Sequence, residues 1–215
     1  MPADASTPTT PELASVLGVA PTEPPPRLSA DSVLQESSRP VTDPGQPAEV
    51  SANGRAAARH IVDVHDGYRA EMLQVLEVLD QVQRGTLDIG TAQSTLARMT
   101  IRANDWTLGG YCMAQCRELT EHHGIEDDSV FPYLRRCNSN LAPVLDRLDD
   151  EHRAIHELLE RVDVELITLV QNPTAYGPLR NLMGLLHDTI MSHFSYEERE
   201  LMLPLAQFGF YQGQL

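Results

Sequence analysis

The sequence predicts an all-α protein: an up-down four-helix bundle preceded by a disordered N-terminal tail. From about residue 56 onward, apolar residues recur at steps of three and four over four long stretches. The breaks between stretches are short and carry Gly, Asn or Pro. No stretch alternates in the manner of a strand, and no internal repeat or Gly-rich phosphate loop is present. Four long helices with short connections bury their stripes against one another.

Residues 1–50 stand apart. They hold ten of the 15 prolines, including the run Pro24, Pro25 and Pro26, and no aromatic residue or histidine. So little apolar surface does not offset the entropy of ordering the chain, which predicts a disordered tail over 1–50 and a bundle over 51–215. The first helix is expected from about Ala56 to Arg84, with Val62, His65, Met72, Leu76 and Leu79 near one face and Gly85 as its stop. A short helix from Ile89 to Met99 follows. The second long helix is expected from a cap at Asn104 or Asp105 to the neighbourhood of Val130, with Pro132 near its end. The third runs from Pro143, whose missing N–H costs little in a first turn, to Val170. Asn172, Pro173 and Gly177 break the chain again. The fourth runs from Pro178 to Leu203, with Pro204 as its stop.

Composition narrows the function. The 16 basic residues are all Arg, and with 31 acidic residues the formal net charge is -15, which argues against a nucleic acid or an anionic membrane as partner. No apolar run approaches the ~20 residues of a membrane-spanning helix. The N-terminus lacks the basic and apolar regions of a signal peptide. Three cysteines without finger-like spacing point to a reducing compartment, and the expected location is the cytoplasm.

The apolar stripes are interrupted by groups that bind metals. The second helix has a seam of Leu108, Cys112, Gln115, Leu119, His122, Glu126 and Val130. The third reads Leu145, Leu148, His152, His156 and Leu159. The fourth reads Leu182, Leu186, Ile190, His193, Glu197 and Leu201. On the first, His65 lies between Val62 and Met72. His122 with Glu126, His152 with His156, and His193 with Glu197 are pairs at i, i+4, one turn apart on one face. One such group is ordinarily a hydrogen-bonded core residue. Left unpaired in a core, seven of them would each cost several kcal/mol (of order 2–7 each), and a shared metal cluster satisfies them together. Nitrogen and oxygen ligands without thiolate suit iron or manganese, and seven ligands exceed a tetrahedral zinc site. Two metals joined by two carboxylates and an oxo or hydroxo bridge use all seven and leave a gap on one ion for a small molecule.

These stretches resemble the hemerythrin-like family, or HHE cation-binding domain, whose members carry a non-haem di-iron centre in a four-helix bundle. The resemblance rests on His65-Asp66 with Arg69, on His122-His123-Gly124-Ile125-Glu126-Asp127 leading to Val130-Phe131-Pro132, on Glu151-His152 with His156, and on His193 with Glu197-Glu198 leading to Pro204. It covers roughly residues 56 to 205. It implies two iron ions: His152, His156 and His193 on one, His65 and His122 on the other, which keeps the open position, with Glu126 and Glu197 bridging. The oxygen-carrying members place an aspartate five residues after the last histidine, whereas here Glu197 comes four after His193.

Other residues are weighed by position. His123 lies about 100° round the helix from His122 and reads as an outer-face residue or one supporting a ligand. His60 and His187 fall off the seams. Asp127 and Glu198 are expected to face outward, although a shifted register would let Glu198 replace Glu197. Tyr68 and Tyr111 could each offer a phenol near an open iron, or be ordinary packed aromatics. Cys112 and Cys116 are either two small buried residues or a redox pair. The expected function is binding of O2, or of a related small oxidant such as peroxide or nitric oxide, in sensing, storage or stress protection. Whether the chain is an enzyme stays open, since consumption of the ligand would need an electron donor outside it. The alternative is an iron-responsive regulatory or interaction module whose bundle the metal stabilises.

Overall fold

Ser51 opens the first long helix: its hydroxyl accepts from the Gly54 amide at 2.9 Å, as a short oxygen-bearing N-cap does. The structure, a computed structural model, describes residues 10–42, 50–85, 108–171 and 176–214. Within them lie α1 (Thr10–Leu17), α2 (Ala52–Gln83), α3 (Leu108–Ile125), α4 (Phe131–Cys137), α5 (Ala142–Gln171) and α6 (Tyr176–Phe208). A π-helical segment, Glu126–Val130, joins α3 to α4. The arms of the bundle are α2, α3 continued through α4, α5 and α6. No strand occurs among the described residues. The short helix expected at Ile89–Met99 and the cap at Asn104 or Asp105 lie outside the described residues.

The helix bounds follow local chemistry with one exception. Gly85 ends α2 at φ +68°, a left-handed turn that glycine adopts without strain. Pro204, expected as a stop, instead lies inside α6, which runs on to Phe208. Its missing N–H is outweighed by packing, because Leu203, Leu205 and Ala206 are all buried. The Tyr133 hydroxyl also donates to the Phe208 carbonyl at 2.8 Å. A side chain at Gly54 would strike the Ala206 carbonyl, so glycine lets α2 begin directly against the end of α6.

The apolar core is divided. One cluster gathers Met72, Leu76 and Leu79 of α2, Ile155 and Leu159 of α5, and Leu182, Leu186 and Phe194 of α6. The other gathers Ala58 and Ile61 of α2, Phe131 and Leu134 of α4, Leu145 and Leu148 of α5, and Leu201 and Leu205 of α6. Between them runs a band of buried histidines and carboxylates.

Residues 18–42 depart from the expectation of a disordered tail. They run over the outer side of α6 as an extended strap, with Leu17 before it and Leu34 within it buried. Four of the strap's backbone N–H groups donate to carboxylates of α6, while its Glu36–Ser38 segment forms a short 3-10 turn of its own. Leu28 and Ser29 donate to Asp188, Thr22 to Glu198 and Thr42 to Glu200. Buried carboxylates need such donors. With the strap in place, every residue from Leu182 to Glu198 is buried.

Candidate metal centre

All four arms contribute to the polar band. α2 brings His65, α3 brings His122 and His123, the π segment brings Glu126, α5 brings His152, and α6 brings His193 and Glu197. Three groups of potential ligand atoms each lie within 4.8 Å of one another: His123, His152 and His193; His65, His122 and Glu126; and Glu126, His152 and Glu197. Glu126 spans the first two groups, with Oε1 3.3 Å from His122 Nε2 and Oε2 3.7 Å from His152 Nε2. Glu197 spans them on the other side, with Oε2 3.5 Å from His65 Nε2 and 3.6 Å from His193 Nε2. The geometry is two triads of nitrogen and oxygen linked by two carboxylates.

The structure thus brings together His65, His122, Glu126, His152, His193 and Glu197, but not His156. The His156 side chain is 55% exposed and faces Glu160 at 3.5 Å on the same helix. This corrects the expectation of a ligand pair at His152 and His156. His123, expected on the outer face or in support of a ligand, is 6% exposed, stacks on His152 with ring centroids 4.0 Å apart and lies among the potential ligands themselves. The buried line along α3 runs Leu119, then between His122 and His123, then Glu126 and Val130. Each of the two histidines lies about 50° off that line, on opposite sides, so each reaches a different triad. The steps from Leu119 fit either residue, so the signal in the sequence was the adjacency itself.

Several of these atoms are buried with no hydrogen-bond partner: His65 Nε2, His122 Nε2, His123 Nε2, Glu126 Oε2 and both oxygens of Glu197. Orphaned buried polar atoms are rare and costly. Here they converge on common points, which is what a cation would satisfy. A profile of the hemerythrin HHE cation-binding domain matches residues 56–206. The chain belongs to that family. No curated protein matches it, and no solved structure does. The family binds metal cations, and the hemerythrin residues found here fit one: imidazole and carboxylate donors, no thiolate, two triads.

Each hemerythrin triad is braced by carboxylates behind its histidines. His65 Nδ1 faces Glu198 Oε1 at 2.9 Å, His152 Nδ1 faces Asp127 Oδ1 at 2.7 Å, and His193 Nδ1 faces Glu151 Oε2 at 3.2 Å. A carboxylate on Nδ1 fixes the tautomer that presents Nε2 and raises its basicity. Glu198 and Asp127 therefore correct the expectation of outward-facing residues: Glu198 is fully buried and Asp127 is partly covered. The sequence marks each brace by its place beside a ligand: Asp127 after Glu126, Glu151 before His152, Glu198 after Glu197.

Electrostatics agree with a cation-binding role. Burial holds His65 and His123 well below the ordinary imidazole value and His122 at about 2, so their nitrogens are neutral and able to ligate. Burial, with Glu197 alongside, pushes Glu126 well up, and burial pushes Glu197 up to about 7. Burial would also raise Glu151, but hydrogen bonds from His193 and Arg39 win and hold it at about 2.

The remaining candidates divide. Tyr68 is half-buried beside His122, at 5.3 Å between ring centroids, and its hydroxyl donates to the Glu118 carbonyl at 3.2 Å. Burial and Glu118 raise it to about 12, so the phenol stays protonated. The side chains of Tyr111, Cys112 and Cys116 lie outside the described residues. The His60 and Phe210 rings meet edge to face. His187 is buried, with Nδ1 2.9 Å from Asp188, away from the triads. No helix among the described residues is long and apolar enough to cross a membrane.

Proposed function

We propose that this chain is a di-iron protein that binds O2 or a related small oxidant, peroxide or nitric oxide. The observation that carries the reading is the convergence of orphaned buried nitrogens and oxygens on two linked triads. His123, His152 and His193 would hold one iron and His65 and His122 the other, with Glu126 and Glu197 between them. An oxo or hydroxo bridge would complete the pair. Bound iron supplies reversible redox chemistry and an open coordination position. The His65 and His122 side has one fewer histidine, and its His122 side chain is 15% exposed, against 3% for His152 and 0% for His193 on the other side.

The chain's own residues supply the rest. The two apolar clusters above and below the band exclude water from the centre. Among the described residues, Tyr68 is a protonated phenol whose ring lies beside His122, with its hydroxyl on the Glu118 carbonyl. A turnover reaction would draw electrons from a separate donor. The cysteine usage supports a cytoplasmic location.

Metal analysis of the purified full chain tests the reading, followed by anaerobic loading with Fe(II) and separate additions of O2, peroxide and nitric oxide. About two irons per chain, following the two triads, and a visible spectrum altered by one of the three are expected. Folded chain that takes up no iron would overturn the reading. Iron that stabilises the fold while no oxidant alters its spectrum would favour the iron-responsive module.

A further inference from the structure

Two of the strap's contacts with the bundle fall on carboxylates that brace the histidines, Glu151 and Glu198, which Arg147 and Arg69 of the bundle also hold. Arg39 lays its fork on Glu151, Nε to Oε1 at 2.8 Å and Nη2 to Oε2 at 2.9 Å. Glu151 Oε2 in turn faces His193 Nδ1 at 3.2 Å. The Arg39 side chain is 8% exposed and sits over the Tyr196 ring, whose hydroxyl donates to the Pro40 carbonyl at 2.8 Å. Further along, the Thr22 amide donates to Glu198 Oε2 at 2.7 Å, and Glu198 Oε1 faces His65 Nδ1 at 2.9 Å. The two histidines reached in this way are the pair whose Nε2 atoms flank Glu197 Oε2.

A buried Arg–carboxylate pair is a poor way to add stability, because apolar side chains of the same volume often hold a fold as well or better. A two-point Arg–carboxylate fork does fix the orientation of the carboxylate. We propose that residues 18–42 are a built part of the metal centre, with Arg39 and Thr22 as positioning residues that hold Glu151 and Glu198, and through them His193 and His65. The inference rests on the metal-binding reading above. It assigns a role to the strap that the matched region, residues 56–206, does not include.

The experiment uses the full chain loaded with Co(II), whose visible ligand-field bands report ligand geometry, and measures band positions and the rate of release to EDTA. Arg39→Met removes the fork, and Thr22→Pro removes the amide hydrogen that Glu198 accepts. Arg27→Met is the control: Arg27 touches Glu36 and the Asp31 carbonyl within the strap and Asp188 on α6, none of which braces a triad histidine. The first two variants are expected to shift the bands and to release Co(II) about tenfold faster, the low end for residues that orient metal ligands. The control is expected to match the wild type. Unchanged bands and release in both variants would overturn the inference, as would an equal change in the control, which would make the strap a general brace. If Arg39→Met does not fold, Arg39→Lys decides. It keeps the charge and loses the two-point grip, so a band shift supports the role and wild-type bands overturn it. A wild-type chain that takes up no Co(II) would instead overturn the metal-binding reading itself.

Discussion

Two helices each carry a histidine and a second metal-capable residue four positions on, and only one of them delivers both. On α6, His193 and Glu197 are both within 1% of complete burial and face the centre. On α5, His152 is buried while His156 points to solvent beside Glu160. A step of four over-rotates an α-helix by about 40°, so both members stay inside only where the buried face is wide. On α5 the buried line passes from His152 to Ile155, Leu158 and Val162, and His156 falls outside it. On α6 no such limit applies, because the strap covers the side that would otherwise meet water. An i, i+4 pair therefore specifies a shared face only as broadly as the neighbours cover that face.

The contrast can be broken at several points. Removing metal should have the largest effect, since it strips the orphaned atoms of α6, the π segment, α3 and α2 of their common partner. Ligand at a hundred times its dissociation constant stabilises the fold by about 2.7 kcal/mol, so chelated protein should melt well below iron-loaded protein in calorimetry. Equal melting temperatures would remove the metal from the stability account. Glu197→Leu follows. It should abolish uptake of both ions in elemental analysis and stabilise the metal-free chain by about 1–3 kcal/mol, the cost of burying an unsatisfied polar group. A destabilised metal-free variant would mean that Glu197 already has adequate partners.

The histidines separate next. His123→Ala should lose one ion of the two in a metal titration, and retention of both would return His123 to a packing role. The metal-free protein should also lose stability as pH falls below about 6.5. His65, His122, His123 and His152 all have folded pKa values held below the ordinary value by burial, so below that pH the unfolded chain binds more protons. Glu126, Glu197, Glu198 and Asp163 work in the opposite sense. Their raised values add stability that is lost as pH climbs, through about 7 for Glu197, but Glu151 and Asp188, held down, side with the four histidines. Melts between pH 4 and 7 would show the sign, and a midpoint that rises on acidification would refute it. The smallest effect belongs to His156→Ala, within about 0.5 kcal/mol and with full metal content, as for an ordinary surface substitution.

Much of the site was legible because a buried seam tolerates few polar residues. His65, Glu126, His193 and Glu197 interrupt apolar stripes at the right steps, and the structure places them between two apolar clusters. His123 and His156 were misjudged for one reason. Sequence periodicity locates a seam to within about one residue, and a hundred degrees of rotation separates neighbours. The braces Asp127 and Glu198 looked solvent-facing because each follows a seam residue, and the role of Glu151, which precedes one, was not foreseen. Their burial depends on elements distant in the chain.

The pattern of apolar steps is enough to specify four helices, their order and the composition of the polar band, since local periodicity and the cost of burying unpaired polar groups act within each helix. Which side of α3 faces which triad, why His156 turns outward, and how a proline-rich segment comes to seal α6 are decided by contacts between residues far apart in sequence. Thr22 meets Glu198 and Arg39 meets Glu151 only once the bundle has formed. The strap's free amides and its one buried guanidinium find partners there that no property of residues 1–50 alone reveals.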